Sequence, residues 1–181
     1  MNSIDFSQLN WIALETDSIL KFTAHDNPLS VLEKQKEKIQ RTPCSVLCRK
    51  KFFLTSNVRS AEILICGLGI YTLTVNGERA GDAAFAPLVT EYNKRVIYDH
   101  IDISSLLTPG ENVICVELGG GYYSPSPKYW SWRAFWLGNP RLAAAVVGEY
   151  TNGQSFECKT DDTWKVKRGG VIENCIYDGV T

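Results

Sequence analysis

From Val46 onward, β-branched, aromatic and other apolar residues fall into short runs, broken every ten residues or so by Gly, Asn, Asp and Pro clusters. That texture predicts strands at Val46–Leu54, Ala61–Cys66, Ile70–Val75, Val96–Ile101, Asn112–Leu118, Arg141–Glu149, Gln154–Lys159 and Trp164–Lys167. Two Asn-Gly pairs, Asn76-Gly77 and Asn152-Gly153, each sit between such runs and predict hairpins through type I′ turns, which need positive φ at both central residues. Ser104–Leu107, followed by Thr108-Pro109-Gly110, predicts a single helical turn with a sharp exit. A lone open sheet would leave one apolar face wet, so the pattern predicts two packed antiparallel sheets, an all-β sandwich of jelly-roll type.

The chain before this body reads differently. Leu29–Gln40 has apolar residues at 29, 31, 32 and 39 among mixed charges, without Gly or Pro, and is bounded by Pro28 and Pro43. It predicts a short surface helix or a linker. The expected organisation is therefore an N-terminal extension over 1–44 and a sandwich module over 45–181.

Composition narrows the function classes. At 181 residues one domain is the natural reading, and 19 Lys+Arg against 20 Asp+Glu give no field that would draw the chain to nucleic acid. No apolar run approaches the eighteen or so residues of a membrane span, and Met1–Asn10 lacks a basic start followed by an apolar block. The expectation is a cytoplasmic chain with neither nucleic-acid nor membrane partners. Its six cysteines are then expected as free thiols, Cys66 and Cys115 as small core hydrophobes within apolar runs. Cys44 and Cys48 lack the second pair that a zinc site would need.

Catalytic constellations are sparse. Gly67-Leu68-Gly69 is not completed to a dinucleotide fingerprint, and Gly119-Gly120-Gly121 runs into Tyr122-Tyr123 rather than Lys-Ser/Thr, so both point to close backbone packing. There is no nucleophile elbow. Of the two histidines, His25 lies in the extension, and His100 reads as an exposed strand residue alternating with Tyr98 and Asp102. Asp161-Asp162 precedes Thr163-Trp164 and reads as a turn whose carboxylates cap backbone groups.

One segment departs from both periodicities. Tyr122–Trp136 holds seven aromatics in fifteen residues, against 11% for the chain. It predicts a loop with three uses: packing over the end of the sandwich, an interface with another domain, or carbohydrate contact. In the third, Tyr123, Trp130 and Trp132 would stack on sugar C–H faces while Arg133 bonds hydroxyls.

The residues Gly67–Asp82, Ala86-Pro87, Thr90–Tyr98, Asp102–Asn112 and Gly119–Tyr123, with Gly138–Pro140, Thr160–Trp164 and Ile176–Gly179 in order behind them, resemble the N-terminal β-sandwich module of bacterial α-L-rhamnosidases, glycoside hydrolase family 78. The resemblance covers about 45–181 and implies a galactose-binding-like sandwich that accompanies a catalytic α/α-barrel domain carrying the acidic catalytic residues. It thus implies a non-catalytic accessory role, inactivity of this chain alone, and the parent enzyme's catalytic domain and a rhamnose-containing glycan as partners. An autonomous rhamnose-binding module is the alternative. Where the family pattern carries an acidic residue after Gly179 and runs on, Val180 departs and the sequence stops at Thr181, so a fragment is expected. Some modules of the family hold rhamnose through calcium. By resemblance its ligands map to Glu91, with Tyr92 or Asn93 beside it, and to the loop from Tyr123-Ser124; here Glu91 stands where Asp is usual and Tyr122 where Trp is common. No other cofactor is implied.

Overall fold

The computed structural model describes residues 9–14, 44–92, 94–124 and 139–171, with the backbone of 174–175 and 179–180. These form twelve strands: β1 Ile12–Ala13, β2 Val46–Leu54, β3 Val58–Leu68, β4 Ile70–Val75, β5 Glu78–Ala80, β6 Asp99–Asp102, β7 Gly110–Gly119, β8 Arg141–Tyr150, β9 Ser155–Lys159, β10 Lys165–Arg168, β11 Asn174–Cys175 and β12 Gly179–Val180. All pairings are antiparallel. One sheet runs β6-β3-β8, with β9 and the short β1 both pairing with β8; the other runs β10-β2-β7-β4-β5. The two face each other as the sandwich expected from the sequence. The expected helix or linker at 29–40 lies outside the described residues.

The core is built by alternation. In β7 every second residue from Asn112 to Leu118 is buried, and in β2 Val46, Cys48 and Leu54 point the same way. These meet Ile63 and Ile65 of β3 and Leu142, Ala144 and Val146 of β8 across the interior. The outer faces differ. The β2–β7 sheet turns Arg49, Lys51 and Glu117 to solvent, whereas β3 and β8 bury Leu64, Cys66, Ala143 and Ala145 on their outer side as well. Leu9 packs on the two alanines. That is why Ile63–Cys66 and Leu142–Val146 read as unbroken apolar runs.

Several local expectations are corrected. Val96–Tyr98 belongs to the connection before β6 rather than to the strand, and β3 extends to Val58 and Leu68. Asn76 and Gly77 take φ of 52° and 88°, the geometry their pairing predicts. At Asn152-Gly153 only Gly153 is positive, at 85°; the turn is a three-residue connection closed by Gly153 N–H to Tyr150 O and Tyr150 N–H to Gln154 O. Asn152 spends its side chain accepting from the Gln154 N–H at 3.0 Å. Cys115 lies on the outer face of β7 and is only partly covered, while Cys66 is fully buried. The described cysteines are free thiols.

Fully buried Asn112 organises the end of the sandwich where the 3-10 turn Ser104–Leu106 lies. Its amide donates to the carbonyls of Thr108 and Gly110, and its oxygen accepts from Thr108 N–H and the Asn76 amide. A buried polar side chain with all its partners costs little and fixes geometry, here joining the β4–β5 turn to the start of β7.

Candidate functional site

Of the sequence-predicted site residues Tyr123 and Glu91 are described, and Tyr123 lies at the end of the sandwich where β3 turns into β4 and β7 leaves its sheet, against Tyr92, the neighbour of Glu91. Two glycine runs meet there. Gly69, at φ 136°, leaves no room for a side chain, since a Cβ would sit 2.1 Å from the Gly119 carbonyl oxygen. Gly121, at φ 53°, presses on Ile70 in the same way. Both runs serve close backbone approach, as their sequence context suggests.

This packing aims the two adjacent tyrosines in opposite senses. Tyr123 is buried, with its ring edge-on to Tyr92 at 5.2 Å, while Tyr122 is 47% exposed. Burial pushes the Tyr123 phenol up against the opposing pull of Arg141. It also pushes Tyr92 up, with Cys66 and the two neighbouring tyrosines adding to the shift. The Cys66 thiol, buried and near Asp99, is pushed up to about 12. These groups stay neutral at physiological pH and form an apolar, aromatic floor. Tyr122, rather than Tyr123, presents an open ring, and the sequence signal for it was the bare alternation of two consecutive aromatics. Trp130, Trp132, Arg133 and Asn93 lie outside the described residues.

Glu91 stands on the rim with its carboxylate 3.0 Å from the Lys94 ammonium, and its carbonyl accepts from the N–H groups of Lys94 and Arg95. A calcium ion asks for six to eight oxygens. The described side chains supply one carboxylate here, already paired with a cation, and no group of three or more His, Cys, Asp or Glu among the described residues could hold a metal. The other groups that the resemblance names for calcium, Asn93 and the loop beyond Ser124, lie outside the described residues.

Two clefts flank the sandwich at its open edges. One, of about 150 Å³, lies between β4–β5 and β6 and is lined by Tyr71, Arg79, Asp82, Asp99 and His100 among others. Tyr71 donates its phenol proton to Asp99 Oδ2 at 2.5 Å, tying the two sheets together. Burial, then this bond, raises the phenol well above its usual range. His100 is exposed on β6 as expected, its Nδ1 3.1 Å from Glu62 Oε2. The other cleft, of about 350 Å³, lies between β2 and β9. There Lys50 points inward and donates to both Asp161 oxygens at 2.9 and 3.1 Å and to Thr163 Oγ1. Asp161 also accepts from Thr163 N–H, the capping role read from its sequence. Glycoside hydrolysis needs two carboxyl groups facing each other across the scissile bond. Asp99 and Asp161 are each bound to a partner that crosses between the sheets, and so read as ties of the sandwich.

Comparison with known proteins gives a consistent picture. Residues 56–181 match the family described as the α-L-rhamnosidase N-terminal domain. An α-L-rhamnosidase of Formosa agariphila is 34% identical over 137 residues, covering 74% of this chain and 14% of that protein. One from Streptomyces avermitilis is 28% identical over 124 residues, 68% of this chain and 12% of that one. Among solved structures, the α-L-rhamnosidase from Dictyoglumus thermophilum superposes with a TM-score of 0.69 at 33% identity, covering 76% of this chain and 15% of that one. The native enzyme from Aspergillus terreus gives a TM-score of 0.76 at 26% identity, covering 97% and 18%. The chain thus spans 12 to 14% of the length of these two curated relatives.

Proposed function

Because this chain belongs to the α-L-rhamnosidase N-terminal domain family, we propose that it acts as a non-catalytic accessory module of a rhamnosidase-like glycoside hydrolase. In that role it supports and orients a catalytic domain that acts on a rhamnose-containing glycan. The observation that carries this reading is the extent of the match, a family assignment over 56–181 confined to the N-terminal domain of much longer relatives. Two of the acids at the edge clefts agree with it, Asp99 being engaged by Tyr71 and Asp161 by Lys50. The purified chain should release product from an aryl α-L-rhamnoside at the background rate, and turnover that scales with protein concentration would overturn the reading. The rival, an autonomous carbohydrate-binding module, is not favoured, because the match is to the N-terminal domain of much longer α-L-rhamnosidases.

A further inference from the structure

The connection between β5 and β6 carries a concentration of exposed apolar side chains. Phe85 is 68% exposed, Leu88 71% and Val89 54%, and Ile97 and Tyr98 follow, partly exposed, before β6 begins. Scattered single hydrophobes on a surface need no explanation, but five large ones within one connection do. They are not there through looseness of the chain. Ala86 and Pro87 are buried between Phe85 and Leu88, and Ala86 pairs with Tyr71 of β4, donor and acceptor 2.9 Å apart. Anchoring at Ala86-Pro87 turns the flanking side chains outward as a fixed feature.

We propose that this apolar face, formed by Phe85, Leu88, Val89, Ile97 and Tyr98, is where the module docks on the remainder of an α-L-rhamnosidase polypeptide. The inference rests on the accessory reading and adds to it the surface used. Two observations select that occupant. Relatives and solved neighbours devote at least four fifths of their length to chain outside the matched module, so such a module has a large neighbour within the same polypeptide. Among the described residues the large exposed apolar groups are also concentrated there: the others, Trp11, Phe53 and Tyr122, stand singly elsewhere, Phe53 at the cleft between β2 and β9. Exposed Glu91, Lys94 and Arg95 lie in the same connection, so the apolar cluster carries charge at its margin, the composition of an interface with an apolar centre and a polar rim.

The first test uses structures already solved. In the Dictyoglumus thermophilum and Aspergillus terreus enzymes, the positions superposing on Phe85, Leu88 and Val89 should be covered by residues outside the superposed span; if they face solvent in both, the proposal falls. The second replaces the matched span of the Dictyoglumus thermophilum enzyme with this chain, with and without the triple substitution Phe85→Asp, Leu88→Asp, Val89→Asp. The chimera carrying the unaltered chain should be active, and the triple substitution should lower its unfolding temperature by at least about 3 °C. The same substitution in the isolated 181-residue chain should leave its own unfolding temperature unchanged. If the unaltered chimera is no better folded or more active than the enzyme with the span deleted, the accessory reading fails and takes this inference with it. If the unaltered chimera works and the triple variant matches it, only the docking face is wrong.

Discussion

The two open edges of the sandwich solve the same problem by different means. At the β9–β10 edge the sheets are closed by side chains that cross between them. Trp164 is buried in the core cluster with its indole N–H donating to the Lys159 carbonyl, and Lys50 reaches Asp161 beside it. At the β5–β6 edge a phenol–carboxylate bond, Tyr71 to Asp99, spans the gap, and the long connection outside it carries unburied apolar groups. One edge is finished within the chain and bears charge toward water. The other is closed lightly and has a surface suited to contact. Edge strands left bare invite unwanted pairing, and the shortness of β5 and β6 limits that hazard while leaving the connection free to serve another purpose.

That contrast can be broken from the closed side first. Trp164→Ala removes a large buried ring and should cost about 3–5 kcal/mol, read by urea unfolding; a loss under about 1 kcal/mol would mean that the edge is held by something else. On the light side, Tyr71→Phe keeps the ring and deletes the bond to Asp99, and should cost about 1–2 kcal/mol by the same measurement. The ion pair matters least and shows in acid. Burial by itself would raise Asp161, yet hydrogen bonds from Thr163 and Lys50 hold it below its ordinary 3.8. A carboxylate held low in the folded state contributes its stability fully above about pH 3.8 and loses it as pH falls through the lower folded value. Asp161→Asn should therefore flatten the acid limb below pH 4, and because the side chain is well exposed to screening water the change should be a few tenths of a kcal/mol. Smallest of all, the triple Asp substitution at Phe85, Leu88 and Val89 should leave the isolated chain's stability within about 0.5 kcal/mol, since each of those side chains is more than half exposed.

Much of the fold was legible because the sandwich is written in period-two alternation. Val46–Leu54 and Ile70–Val75 come out with the bounds read from their patterns, and Ser104–Leu106 forms the single turn expected there. The failures have physical sources. Val96–Tyr98 carries strand-like residues, but they are used for exposure rather than pairing, which local propensity does not distinguish. Cys115 sits in an apolar run, yet the alternation of β7 puts it on the outer side, a parity that follows only once Asn112, a polar residue, is recognised as facing the core. The β5 strand is three residues long and follows the Asn76-Gly77 turn without an apolar run of its own. At the candidate site, the close approach of the glycine runs was readable from composition. The inward turn of Tyr123 against Tyr92 depends on how distant segments meet, whereas the pairing of Glu91 with Lys94 is local, three residues along the chain.

The placement of β2 has a practical consequence for anyone who would cut this module out by its family boundary. The match begins at residue 56, after β2 has ended, yet β2 lies inside its sheet with β10 on one flank and β7 on the other. A gene started there would encode a protein missing an interior stave: β10 would lose its neighbour, Ile114, Val116 and Leu118 would lose part of their cover, and the nine-residue flank of β7 would stand open to whatever chain came next. Inclusion bodies from such a clone would report on where the cut was made, and a start upstream of Cys44 is the remedy.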